Sequence, residues 1–109
     1  MELSLEQWIA KYNKKTKETF TVKPFATLLY ECDKGFMQYA VHGSVNGIKT
    51  FMIYEVIGNG KWWQLEAVRI AKENNCKQLL TTTRISPEKY KKLFPETYIY
   101  SWVMVQNIE

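Results

Sequence analysis

The chain has little of what most catalytic motifs are made from. Its 109 residues include two cysteines, one histidine, three prolines and five glycines, and no apolar run approaches the roughly 20 residues needed to cross a bilayer. Cys32 and Cys76 are too few and too unpatterned for a disulfide framework or a zinc site, so both are expected to be free thiols. There is no His-x-x-x-His, no Cys-x-x-Cys, no Gly-x-Ser-x-Gly and no Gly-x-x-x-x-Gly-Lys-Ser/Thr. Metal-dependent hydrolysis and serine hydrolase chemistry are thereby set aside, and no metal is expected. The run from Met1 to Gln7 lacks the basic-then-apolar order of a signal peptide, which points to a cytoplasmic protein that does not enter a membrane.

What the chain does have is apolar and aromatic residues, 46% and 15% of the total. That is enough for one core, and residues 1–109 read as a single domain. The formal charge of +4 is modest. It is also uneven, with Lys11, Lys14, Lys15 and Lys17 near the start and Lys89, Lys91 and Lys92 near the end. Such clusters are either solvated helix faces or patches that attract phosphate.

Local patterns order the elements. Ser4 and Gln7 have the spacing of a capping box, and Leu5, Trp8, Ile9 and Tyr12 follow at helical spacing, predicting a helix from Leu5 to Lys15. A short extended piece is expected at Thr19 to Val22. Pro24 then delays a strand spanning Ala26 to Cys32, and Asp33-Lys34-Gly35 is a turn. Phe36 to Val45 and Ile48 to Ile57 flank Asn46-Gly47, the signature of a type I′ hairpin. Trp63, Ala67, Ile70 and Ala71 form one stripe of a helix from Lys61 to Asn75, where a left-handed cap is expected. Gln78 to Thr83 is a short strand, parallel to Ile48–Ile57 because a helix connects them. Ser86-Pro87 starts a short helix that Pro95 stops, with Tyr90, Leu93 and Phe94 as its apolar face. Tyr98 to Val105 is a closing strand.

One segment among these suits a ligand. Val56-Ile57-Gly58-Asn59-Gly60-Lys61-Trp62-Trp63 passes from a strand into a helix through two glycines. A helix N-terminus offers unpaired N–H groups and partial positive charge, and glycines let a phosphate approach the backbone. A tight strand-to-helix connection explains the same residues without any ligand.

The succession from Ala26 to Val105 resembles the second half of the general N-acetyltransferase (GNAT) fold. Three pieces carry the likeness: Gly58-Asn59-Gly60-Lys61-Trp62-Trp63, Ala71 to Leu79, and Ser86 to Pro95. The resemblance implies an α/β fold, more fully an α+β mixed sheet, in which three antiparallel strands precede a β-α-β-α-β run with a central parallel pair. Residues 1–24 would supply an N-terminal helix and connection, and residues 25–106 the core. It also implies an acyl-CoA pyrophosphate loop, matched here by Ile57, Gly58, Asn59, Gly60, Lys61 and Trp62, with acetyl-CoA as cofactor and an amine as acceptor. Glu55 stands where the family's loop places a basic or amide residue.

Direct attack of an amine on a thioester needs a base, an oxyanion-stabilising amide and often a proton donor for the thiolate. The resemblance puts the donor at Leu93 or Phe94, which have no proton to give, so Tyr90, one turn earlier, is the candidate. Glu55 is the candidate base, ahead of His42 and Glu31. Thr81-Thr82-Thr83-Arg84 ends the short strand, where a ligand beside a parallel pair would sit. The missing strand and helix before Ala26 leave an open acceptor side, a site completed by a second copy in a homodimer, or no enzyme. Compact forms of this fold look similar to small bacteriophage proteins, which implies host cytoplasm. The rival reading is a non-catalytic binding protein that engages a protein or nucleic acid partner.

Overall fold

The computed structural model describes residues 1–45, 47–82, 87–95, 98–100 and 103–108. They form an α+β domain with one mixed sheet of six strands and three helices. No helix among the described residues is long and apolar enough to cross a membrane.

Helix α1, Leu5–Thr16, starts at the capping box its sequence encodes: the Ser4 side chain accepts from the Gln7 amide while the Gln7 side chain accepts from the Ser4 amide. Strands β1 (Thr27–Glu31), β2 (Gly35–Val45) and β3 (Ile48–Gly58) then run antiparallel in sequence order. Gly47 has φ +76°, as a type I′ turn requires, while Asn46 lies outside the described residues. Helix α2, Gly60–Glu73, carries the chain across to β4, Gln78–Thr82, which lies parallel to β3. The expected left-handed residue is Asn75, with φ +59°. Helix α3, Pro87–Leu93, follows, with the expected cap Ser86 outside the described residues.

The single closing strand expected at Tyr98 to Val105 is instead a hairpin. β5 (Tyr98–Tyr100) pairs antiparallel with β6 (Val103–Asn107), and β6 inserts beside β4, giving the order β1-β2-β3-β4-β6-β5. The run from Tyr98 to Val105 contains no Gly, Pro, Asn or Asp to mark a turn, only Ser101, a weaker signal. What splits it is long-range: β4 takes β6 as its second neighbour. The piece at Thr19 to Val22 joins no strand of the sheet; part of its backbone is held by a side chain of β2, described below.

Successive residues of β2 point to opposite faces, and they enter different cores. Phe36 packs with Trp8, Tyr12, Phe20 and Ile57 beneath α1. Met37 packs with Phe51, Ile53, Trp63, Ala67, Ile70 and Leu79 beneath α2. The helices therefore cover opposite faces, and the buried stripe of α2 is the one its periodicity marks. Arg69, on the polar face, pairs with Glu66 and Glu73, which raise its already high pKa. Cys32 is exposed and Cys76 buried, both as free thiols, and burial pushes the Cys76 thiol up.

Where β2 begins and β3 ends, two glycines cross. Gly35 and Gly58 are register partners with φ +104° and +107°. A Cβ on Gly35 would collide with the Ile57 carbonyl, and one on Gly58 with the Lys34 carbonyl. Gly58 is thus demanded by backbone packing, independently of any ligand. Gly60 differs: its φ is ordinary, and the nearest atom to an added Cβ is Cζ of Phe94 at 3.8 Å. Gly58→Ala or Gly35→Ala should therefore cost about 2–4 kcal/mol in denaturant unfolding, from strained φ plus the carbonyl clash. Gly60→Ala should be neutral or stabilising by up to about 1 kcal/mol, since it removes a glycine from a helix.

Candidate functional site

The parallel pairing of β3 with β4 runs from Thr50↔Gln78 to Ile53↔Thr81 and then stops, although β3 continues to Gly58. The cause lies on the other side of β3. Against β2, Gln38 pairs with Glu55 and Tyr39 with Ile53, so Tyr54 is an extra residue, a β-bulge. The bulge bends β3, and beyond it the two parallel strands part. Half of the β3 backbone groups from Tyr54 to Gly58 then face an opening rather than a neighbouring strand.

That opening is a cavity of about 340 Å³, in the size range of small-molecule sites. β3 contributes Ile53 to Gly58, β4 contributes Thr81 and Thr82, α2 contributes Gly60, Trp63 and Gln64, and α3 contributes Tyr90 and Phe94. Tyr12, Lys15 and Thr16 of α1 close the remaining side. Tyr90 Oη lies 3.4 Å from Gln64 Oε1.

The start of α2 is fixed against the glycine crossing. The Lys34 carbonyl accepts from the Asn59 amide at 2.9 Å and from Trp63 Nε1 at 2.8 Å. Asn59 Oδ1 caps the helix by accepting from the Trp62 amide at 3.0 Å. The Trp63 amide bonds to the Asn59 carbonyl. Among the described residues, the amides of Gly60 and Lys61 have no acceptor. These are the two N–H groups an anion would meet at the positive end of the helix.

The expected cofactor residues therefore divide. Ile57, Gly58 and Gly60 line the cavity; Asn59, Lys61 and Trp62 do not. Asn59 and the Trp62 amide are committed to each other as a cap. The expected catalytic residues Glu55 and Tyr90 both line the cavity. So do Thr81 and Thr82, while Thr83 and Arg84 lie outside the described residues. Leu93 is half exposed, and Phe94 rather than Leu93 faces the main cavity.

Glu55 is not a lone negative charge. Its Oε2 accepts from Lys23 Nζ at 2.6 Å and its Oε1 from Gln38 Nε2 at 2.7 Å. Gln38 is fully buried. Its amide also accepts from the Lys23 amide at 2.9 Å and donates to the Thr21 carbonyl at 3.2 Å. One side-chain amide thus does for Thr21 to Lys23 what a neighbouring strand would do, and binds that segment over Glu55. The charge next to the helix start is balanced by Lys23, not by Lys61. His42 stands outside the cavity lining, with Nε2 2.7 Å from Tyr54 Oη.

Sequence reasoning missed Tyr12, Lys15 and Thr16 as cavity residues, and Lys23 and Gln38 as partners of Glu55. By sequence Lys15 is part of a basic cluster, and Tyr12 part of the helical spacing of Leu5, Trp8 and Ile9. Nothing local distinguishes them, because their role depends on α1 lying over β3. No group of three or more metal-ligating side chains occurs among the described residues. No protein-family model matches the chain, and a search of curated proteins returns no match.

The Gln38 network can be tested by substitution. Gln38→Leu should lower stability by about 1–3 kcal/mol, since it leaves the Lys23 amide and Thr21 carbonyl without their partner. Proteolysis should then cut within residues 17–26 faster than in the wild type, and a cleavage rate unchanged there would show that the segment is held by something else.

Proposed function

We propose that the protein is an acyl-CoA-binding domain of GNAT-like fold that transfers an acetyl group from acetyl-CoA to an amine. The observation that carries this reading is the cavity at the Tyr54 bulge between β3 and β4, whose lining includes Gly60 with its unengaged amide at the start of α2. A thioester is a neutral, polarisable group with an anionic carrier, and the two ends of the opening suit its two parts. Gly60 and Lys61 amides would receive pyrophosphate at the helix N-terminus. Backbone N–H groups of β3 beyond the bulge would stabilise the charge that develops on the thioester carbonyl oxygen. Tyr90, in the cavity wall, would return a proton to the departing thiolate. Glu55 takes up a proton only at the expense of its charge-assisted bond to Lys23.

Isothermal titration tests the cofactor directly. The wild type should bind acetyl-CoA with saturable heat, Gly60→Ala should retain binding, and Gly60→Glu should abolish it by placing a carboxylate at the pyrophosphate site. No heat at high micromolar acetyl-CoA would sink the reading.

One observation favours a second reading. Glu55 is closed off by Lys23, and Val22 and Phe25 beside it are exposed, as are Leu65 and Leu93 on the helices. A phage- or prophage-encoded binding protein that kept the fold and lost the cofactor would have such a surface for a protein or nucleic acid partner. For nucleic acid, that reading expects retention of single-stranded DNA whose affinity falls steeply with salt. Absence of retention at low salt excludes it.

A further inference from the structure

The chain's only histidine stands one hydrogen bond from the cavity. Tyr54 is the bulge residue, and the bulge breaks the alternation of β3. Glu55 meets Gln38, Lys23 and the segment before β1. Tyr54, immediately before it, meets the same segment: its ring lies 5.3 Å from Lys23 Nζ and 5.6 Å from the exposed ring of Phe25. Two consecutive side chains thus meet the one segment before β1, at residues that both line the cavity. Tyr54 lines the cavity, and its hydroxyl reaches back to His42 Nε2 at 2.7 Å. Glu55, the neighbouring carboxylate, has a donor on each oxygen.

From this arrangement we infer that Tyr54 is the catalytic residue that accepts the amine's proton, with His42 as the positioning residue that stores it. The inference rests on the acyl-CoA reading and extends it to the acceptor side. An ammonium arriving at the open mouth gives a proton to Tyr54 Oη as the phenol's own proton passes to His42 Nε2, leaving a neutral amine and an imidazolium. The amine lone pair forms the N–C bond to the acetyl carbonyl carbon. The C–S bond breaks with its electron pair on sulfur, and the second amine proton ends on the thiolate. The products are an amide, a free thiol and the imidazolium, which returns its proton to solvent. For this direction of transfer the neutral ring must carry its proton on Nδ1 and accept at Nε2. The charged groups placed against the pair are Lys23, from the segment before β1, and Glu55, on β3. They are paired with each other, so the acid–base work falls to the uncharged couple.

The test uses acetyl-CoA with n-butylamine as acceptor, following amine-dependent thiol release across pH. The wild-type rate should fall towards acid along a one-proton limb. His42→Gln keeps a hydrogen-bond partner for Tyr54 but stores no proton; it should lower kcat/KM by about 100-fold and lose that limb, with acetyl-CoA affinity unchanged. Tyr54→Phe should lower the rate similarly. The unchanged affinity of His42→Gln doubles as proof that the variant is folded. A limb that survives in His42→Gln and disappears in Glu55→Gln overturns the assignment, as does thiol release that ignores the amine in a protein that binds acetyl-CoA. Failure of the wild type to bind acetyl-CoA at all removes the reading beneath it instead.

Discussion

Everything near the cavity hangs on the place where two glycine backbones touch. Gly35 and Gly58 meet with positive φ at the end of the β2–β3 ladder, so close that neither can carry a Cβ. This contact brings the Lys34 carbonyl under the start of α2, where it receives both the Asn59 amide and the Trp63 indole. The helix is thereby aimed before its own hydrogen bonds begin. Of its first free amides, on Gly60 and Lys61, that of Gly60 belongs to a residue that lines the opening between β3 and β4, and the Asn59 cap leaves both open by taking only the Trp62 amide. The glycine at Gly58, which its sequence context marks as a ligand contact, is fixed by packing, and its effect on the cavity runs through the helix it positions. Gly60 is the reverse case, unconstrained by its backbone and with room for a Cβ beside Phe94.

The second organising constraint is the extra residue at Tyr54. A bulge in β3 lets the strand keep its pairing with β2 to Gly58 while abandoning β4 after Ile53. The cavity lies beside the stretch of β3 that follows the bulge. The same irregularity sets two side chains, Tyr54 and Glu55, against the segment before β1. Those side chains meet different company, Glu55 a lysine and a buried amide, Tyr54 a histidine. The chemical asymmetry of the site follows from one inserted residue.

Much of the fold was legible because its signals are local. Ser4 and Gln7 encode a cap that involves neighbours three residues apart. Gly47 takes the φ its turn demands, and the stripe of Trp63, Ala67, Ile70 and Ala71 is the face that α2 buries. The parallel placement of β4 also followed, since a helical crossover leaves few alternatives. The closing hairpin was hard to read: the one turn-former between Tyr98 and Val105 is Ser101, a weak signal without Gly, Pro, Asn or Asp beside it, while β6 pairs with both β4 and β5. The site was legible in part. Glycines at a strand-to-helix passage pointed to Ile57, Gly58 and Gly60, and the candidates Glu55 and Tyr90 both reach the cavity.

By itself, then, the sequence determined the helices, the antiparallel strands and the glycine turn, because capping, turn geometry and hydrophobic periodicity act between residues a few positions apart. Only the tertiary structure decided that β3 bulges at Tyr54, that α1 closes the cavity with Tyr12, Lys15 and Thr16, and that Glu55 is held by Lys23, 32 positions away, and by Gln38, 17 positions away. Strand register and helix placement are collective: they minimise the burial cost of the whole sheet and both its faces, and no local stretch of sequence carries that sum.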